Sequence, residues 1–225
     1  MIRKLASLLP YALQEELRRF RFLFRAQSGH FSPNEPEANI LSRFVSAGDW
    51  VIDVGANVGQ YTLLLSRLVG PTGRVLAFEP MTTTAATLAS ISARYTPWQN
   101  VSVLNLAASG RIGTLPFELP TEQGGLRNYE RARVSKSGAM WVFGITIDSL
   151  QIPNRVSLAK IDAEGHETEI LNGMRQTIVR DLPILIVEDN GRPIPDFLNQ
   201  LGYESEKIRS NSPNIVFTAT RVPRC

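Results

Sequence analysis

Two acid-rich turns hold most of the groups in this sequence that could do chemistry. The first is Asp53-Val-Gly-Ala-Asn-Val-Gly-Gln60, where a short apolar run passes into a helical pattern. Gly55 and Gly59 let the backbone run close beneath a ligand, and the helix start offers free N–H groups to an anionic group. Asp53 could attract an ammonium group, directly or through water. Glu79 follows Gly59 by 20 residues, at the end of the next apolar run, where a carboxylate accepts hydrogen bonds from ribose hydroxyls. The second turn, Lys160-Ile-Asp-Ala-Glu-Gly-His-Glu167, packs Asp162, Glu164, His166 and Glu167 around one glycine. Such groups could take or share a proton from an acceptor; His166, with an unperturbed pKa of about 6.5, suits a base at neutral pH.

Each group also has a purely structural reading. Asp162 or Glu164 could cap the helix that begins near His166, Gly165 could supply only a bend, and His166 could be an exposed residue of a first helical turn. His30 reads as structural or surface. The first loop could be a tight turn that binds nothing. Asp162, Asp189 and Asn190, at neighbouring strand ends, could hold a Mg²⁺ ion that orients an acceptor. Acids are common at strand ends without any metal, so no metal is assigned.

The elements that must position these turns alternate along the chain. Glu37 to Val45 has helical spacing, followed by a strand at Trp50–Val54 and a helix from Tyr61 to Val69. A strand at Arg74–Phe78, a helix from Thr84 to Tyr95 and a strand from Val101 to Leu106 come next. Ser109 to Met140 reads as a long irregular stretch rich in Gly and Arg. A buried strand from Val156 to Asp162, a helix from Glu167 to Ile178, a strand from Pro183 to Val187 and a helix from Ile194 to Leu201 restore the alternation. Tyr203 to Ile208 and Asn214 to Ala219 read as an antiparallel hairpin across a turn at Ser210 to Pro213. This order implies an α/β fold, a mostly parallel twisted sheet with helices on both faces. Ligands of such sheets bind beyond the carboxyl ends of the strands. The candidates are therefore Asp53 to Gly59, Glu79, Leu106 to Ser109 with Ala107 among them, Asp162 to His166, and Glu188 to Asn190.

The choice of cofactor rests on spacing. A dinucleotide fingerprint is G-x-G-x-x-G, whereas this loop runs Gly-Ala-Asn-Val-Gly without a third glycine at the right offset. That weakens the nicotinamide dehydrogenase reading; in S-adenosylmethionine, the other cofactor such a loop could hold, the amino-acid carboxylate and ammonium would match the helix start and Asp53. Asn57 stands at a position where glycine is common, and asparagine tolerates positive φ.

The 225 residues suffice for one α/β domain, 43% are hydrophobic and 20% charged, and the mean hydropathy is −0.07. Disordered and collagen-like classes are excluded. No apolar run approaches the roughly 20 residues that cross a bilayer. The one cysteine, Cys225, allows no internal disulfide and no cysteine-rich zinc site. The start, Met1 to Pro10, is positive like a signal peptide, but its apolar run is short and Glu15 and Glu16 follow. Retention and a reducing, cytoplasmic compartment are expected. Leu13, Leu17, Phe20 and Phe24 recur on one face of a helix among Arg3, Lys4, Arg18, Arg19, Arg21 and Arg25. That face is expected to pack on the domain; an anionic membrane surface or nucleic acid is the alternative.

Together, D-V-G-A-N-V-G-Q-Y-T from Asp53, F-E-P at Phe78, K-I-D-A-E-G-H-E from Lys160 and N-x-x-F from Asn214 resemble the FkbM-type methyltransferase family, across residues 35–219. The resemblance implies a Rossmann-like class I methyltransferase fold, S-adenosylmethionine as donor, and O-methylation of a sugar, glycolipid precursor or secondary metabolite. Carried onto this chain, the donor side would be Asp53, Gly55, Asn57, Gly59 and Glu79, and the acceptor side Asp162, Glu164, Gly165 and His166, with Asp162 or His166 taking the proton. Residues 1–34 would be a basic helix and loop and 35–225 the methyltransferase domain. In the family the fifth strand commonly ends in a glutamate with less polar neighbours; here Asp189 and Asn190 follow Glu188. Arg127, Arg131 and Arg133, in the basic stretch Gly124 to Ser137, suggest a lid over an anionic acceptor. An RNA methyltransferase, favoured by a pI near 9.2 but lacking a recognised RNA module, and a binding module without catalysis are the alternatives.

Overall fold

A computed structural model describes residues 9–122, 125–191, 193–208 and 212–219. Arg3, Lys4, Gly124, Cys225 and part of the turn at 210–213 lie outside these residues. The strands and helices, in chain order, are α1 (Tyr11–Gln27), β1 (Trp50–Val54), α2 (Gln60–Val69), β2 (Arg74–Phe78), α3 (Thr82–Tyr95), β3 (Val101–Leu104), β4 (Ala107–Ala108), β5 (Gly113–Glu118), β6 (Arg133–Val134), β7 (Met140–Ile145), β8 (Val156–Ile161), α4 (Glu167–Gly173), α5 (Arg175–Asp181), β9 (Ile184–Glu188), α6 (Phe197–Gln200), β10 (Tyr203–Glu206) and β11 (Asn214–Ala219).

Seven strands form the main sheet in the order β10-β11-β9-β8-β1-β2-β3. The first, second, eighth and ninth strands run parallel, and β11 lies antiparallel between β9 and β10. All six residues of β8 are buried, as expected of a strand covered on both faces. Side chains alternate between those faces. Ile52, Ile161 and Leu185 pack against Ile170, Leu171 and Met174 on one side. Val51, Val75, Leu158 and Ile186 pack against Leu65 and Val69 of α2 on the other. Each fully buried Leu or Ile there contributes about 2 kcal/mol of transfer free energy.

The register decides where the site forms. Val54 lies beside Phe78 and Ile161, and Ile161 beside Val187. The carboxyl ends of four strands are therefore level, and the residues after them meet at one edge.

Several expected elements differ. The helix expected at Glu37 to Val45 is a 3-10 helix, Pro36–Arg43, whose Glu37 is buried and accepts from the Ser212 hydroxyl. The helix expected over Glu167 to Ile178 divides at Met174 into α4 and α5. Asp148 causes the division: its carboxylate accepts from the Gln176 and Thr177 N–H groups at 2.8 and 2.9 Å, a cap that starts a new helix. The stretch from Ser109 to Met140 is less irregular than its composition suggests. β5 and β6 join β4 and β7 in a second sheet of order β4-β7-β5-β6. Leu115, Phe117 and Val142 point inward onto Met81 and Ala107.

The first helix turns over relative to expectation. Leu13, Leu17, Phe20 and Phe24 are 46%, 50%, 64% and 70% exposed. It is Phe22, Leu23 and Ala26 that pack inward, on Phe31, Ile91 and Tyr95. No described helix is long and apolar enough to cross a membrane.

Candidate functional site

At the level strand ends lies a cleft of about 440 Å³. Asp53, Gly55, Asn57, Glu79, Ala107, Asp162, Glu164 and His166 all line it. Gly59 sits behind the wall as the N-cap of α2, with φ +98° and no side-chain cap.

Gly55, at φ +72°, is held where no other residue fits: a Cβ there would stand 1.8 Å from the Asp162 carbonyl oxygen. Its N–H and that of Ala56 donate to the Phe78 carbonyl at 3.1 and 3.0 Å. Asn57 has φ +48°, so asparagine does hold the left-handed position of this turn. Its N–H donates to Glu79 Oε2 at 3.0 Å, and the Met81 N–H to Oε1 at 2.9 Å. Burial pushes the Glu79 carboxyl up to about 7, against the pull of these two amides and of Arg18. Each Glu79 oxygen keeps a lone pair for a hydroxyl donor.

Asp53 is fully buried. Its Oδ2 accepts from Thr62 Oγ1 at 2.6 Å, while Oδ1 has no partner among the described residues. Burial raises its pKa, opposed by Lys160 and the Thr62 hydroxyl. A buried carboxylate oxygen without a donor is costly, and an ammonium group in the cleft would supply that donor.

Lys160 is the contributor that the sequence reading passed over. It is 3% exposed, opposite Asp53 in the β1–β8 register, and its Nζ donates to Asp162 Oδ2 at 2.8 Å. The ammonium also lies 4.5 Å from the Tyr61 ring centroid. Burial works against its charge, but Asp162 and Asp53 outweigh this and raise its pKa. The signal was available: a lysine inside a mostly apolar strand is buried only when a carboxylate pairs with it.

The acid-rich turn divides its work differently from the capping alternative. Glu167, not Asp162 or Glu164, braces the turn, its Oε1 accepting from the Ala163 and Gly165 N–H groups, each at 3.0 Å. Glu164 takes φ +50°, unusual for a non-glycine residue, and Gly165 follows at φ +97°, a bend after which the Glu164 side chain lines the cleft. His166 Nε2 is 3.0 Å from Ser109 Oγ, so this ring nitrogen is engaged.

The oxygen cluster expected at Asp162, Asp189 and Asn190 forms with other members. Asp162, Glu164 and Glu188 bring carboxylate atoms within 4.8 Å of one another. Asp189 instead pairs with Lys207 at 2.6 Å, and Asn190 donates to Glu188 Oε2 at 2.9 Å. Crowding has a direct result. Burial and the charge of Asp162 push Glu188 up to about 7, and burial and Asp162 raise Glu164 as well. A carboxylate with such a pKa can take up a proton near neutral pH.

The second sheet and α1 close the remaining sides. Tyr129, Glu130 and Arg133 line the cleft, and Arg133 pairs with Glu118 at 3.0 Å. Arg127 stacks on Tyr11, 3.8 Å from its ring centroid. Arg18 reaches in from α1 to Asn57 Oδ1 and Thr84 Oγ1, each at 3.3 Å, over the Tyr129 ring at 3.9 Å. Tyr129 in turn donates to Glu15. Periodicity could not have found the role of Arg18, because its partners at the cleft lie 39 to 111 positions away.

Comparison with known proteins agrees with this architecture. The hexuronic acid methyltransferase AglP of Haloferax volcanii is 29% identical over 163 residues, 70% of this chain and 63% of that protein. The methyltransferase sdnD of Sordaria araneosa is 25% identical over 72% of this chain and 76% of its own length. The crystal structure of the FkbM methyltransferase from Methylobacillus flagellatus superposes with a TM-score of 0.56 at 19% identity, over 76% of this chain and 43% of that one. The chain thus spans less than two thirds of both AglP and that crystallised protein. The methyltransferase FkbM domain model matches residues 53–209, from the end of β1 through β10, and on that match the chain belongs to the FkbM methyltransferase family.

Proposed function

We propose that the protein transfers a methyl group from S-adenosylmethionine to a hydroxyl oxygen of a sugar, glycolipid precursor or small metabolite. One observation carries the reading: the cleft joins an orphaned buried Asp53 oxygen and a ribose-competent Glu79 on one side to three crowded carboxylates on the other. Asp53 and the α2 N-terminus would hold the amino-acid end of the donor, with Gly55, Asn57 and Gly59 shaping the passage, Glu79 the ribose, and Ala107 a neighbouring surface. The bound donor supplies an electrophilic sulfonium methyl.

On the acceptor side, the Asp162, Glu164 and Glu188 group takes the hydroxyl proton as the carbon–oxygen bond forms and the carbon–sulfur bond breaks. Lys160 occupies Asp162 Oδ2 in an ion pair, so the proton goes to Glu188 or Glu164, whose charged forms burial disfavours. Arg133 at the cleft wall suits an acceptor with a carboxylate, and the AglP name, a hexuronic acid methyltransferase, supports an acidic sugar.

The test is calorimetric titration with S-adenosylhomocysteine and, separately, NADH, for the native chain and Glu79→Ala. The expected result is micromolar binding of S-adenosylhomocysteine alone, weakened at least ~10-fold in the variant by the loss of hydrogen bonds to a charged group. Binding of NADH, or no binding of S-adenosylhomocysteine, overturns the reading.

A further inference from the structure

We propose that α1 docks the protein on an anionic lipid surface. The helix has two faces. Phe22 and Ala26 hold it to the body, with the Phe22 and Phe31 rings edge to face at 6.4 Å. The opposite face carries Leu13, Leu17, Phe20 and Phe24, spaced by four, three and four residues, all exposed to the degree given above. Among the described residues none covers these four side chains, and no residue of the helix is fully buried.

Charge identifies the occupant. Residues 1–27 hold six basic residues, Arg3, Lys4, Arg18, Arg19, Arg21 and Arg25, against Glu15 and Glu16. Their net charge is +4 in a chain of +3, so residues 28–225 carry −1. Arg19 and Arg21 are exposed. Glu16, on the other margin, is answered by Arg19 at 3.7 Å. An apolar stripe with basic margins lies in the interface of a bilayer with anionic headgroups, apolar side down. Nucleic acid would use the arginines but not the stripe. A second copy would cover the stripe by bringing two +4 segments together, which repel.

Docking by this face has a consequence for the cleft. Arg18, on the inner side of the same helix, hydrogen-bonds Asn57 and stacks on Tyr129. Those two cleft residues are then separated from the lipid only by the helix.

The experiment is co-sedimentation of the full chain with phosphatidylcholine vesicles, with and without phosphatidylglycerol, at low and high salt. Phosphatidylglycerol is expected to raise binding on the order of tenfold, with the gain shrinking as salt screens it. Phe20→Ser with Phe24→Ser should abolish vesicle binding without moving the thermal midpoint, since both rings stand mostly in solvent. Arg19→Gln with Arg21→Gln should remove the preference for phosphatidylglycerol. The proposal is overturned by absence of sedimentation, by binding that the double phenylalanine variant leaves intact, or by self-association through this face without vesicle binding. It is independent of donor binding, which the same variants should retain.

Discussion

Burial, with neighbouring charge, sets the titration of Glu188 and Glu164 in the cleft. Glu188 is pushed up to about 7 first by burial and then by Asp162. Both favour its protonated form, so the fraction able to act as a base grows as pH rises through 7. The expected pH profile of methyl transfer therefore has an acid limb near 7. Glu188→Gln should lower turnover roughly 100-fold and flatten that limb, while His166→Gln, whose Nε2 is already engaged by Ser109, should leave the limb in place. Steady-state rates of the two variants between about pH 5.5 and 8.5, roughly 1.5 units either side of the expected midpoint, decide between carboxylate and imidazole. An unchanged profile in Glu188→Gln removes this glutamate from the mechanism.

Among the elements, the meeting of the first and eighth strands is the least forgiving. The turn after β1 passes so near the end of β8 that a Cβ on Gly55 would overlap the Asp162 carbonyl. The left-handed φ of +72° adds a second penalty. Gly55→Ala should cost roughly 3 kcal/mol of unfolding free energy, combining backbone strain with a forced strand shift. Urea denaturation measures this. A loss below about 1 kcal/mol would mean that the two strand ends separate easily, and the cleft would then lack the rigid floor ascribed to it.

At the scale of the whole molecule, three segments distant in sequence converge on Arg18: the first helix, the loop after β1, and the insertion at Tyr129. Burial lowers the pKa of this guanidinium, while Glu15, Tyr129 and Glu79 favour its charge. Its removal leaves Tyr129 without its stacked cation and Asn57 without a donor. Arg18→Ala should weaken S-adenosylhomocysteine binding on the order of tenfold, the effect of losing one charge-assisted contact. It should also speed protease cleavage around Tyr129, read by mass spectrometry. Unchanged affinity and cleavage would show that α1 is not coupled to the cleft.

The chain alone determined the alternation of strands and helices, and with it the sheet, the edge where ligands bind and the two acid-rich turns. Apolar period and glycine position report local backbone geometry directly, so Asp53, Glu79 and the turn around Asp162 were legible from their spacing. Glu188 was legible as a strand-end candidate but not as the third member of the carboxylate cluster, because it joins Asp162 only through the β8–β9 register, while Asp189 turns away to Lys207. The insertion resisted for a related reason: the second sheet pairs β5 with β7 across an intervening loop and carries Pro116 in a strand, which local pattern reads as a break. The outward face of α1 was decided last. Periodicity identifies an apolar stripe, but only the tertiary packing of Phe22 against Phe31, with Arg18 seated at Asn57, fixes which side of the helix meets the protein.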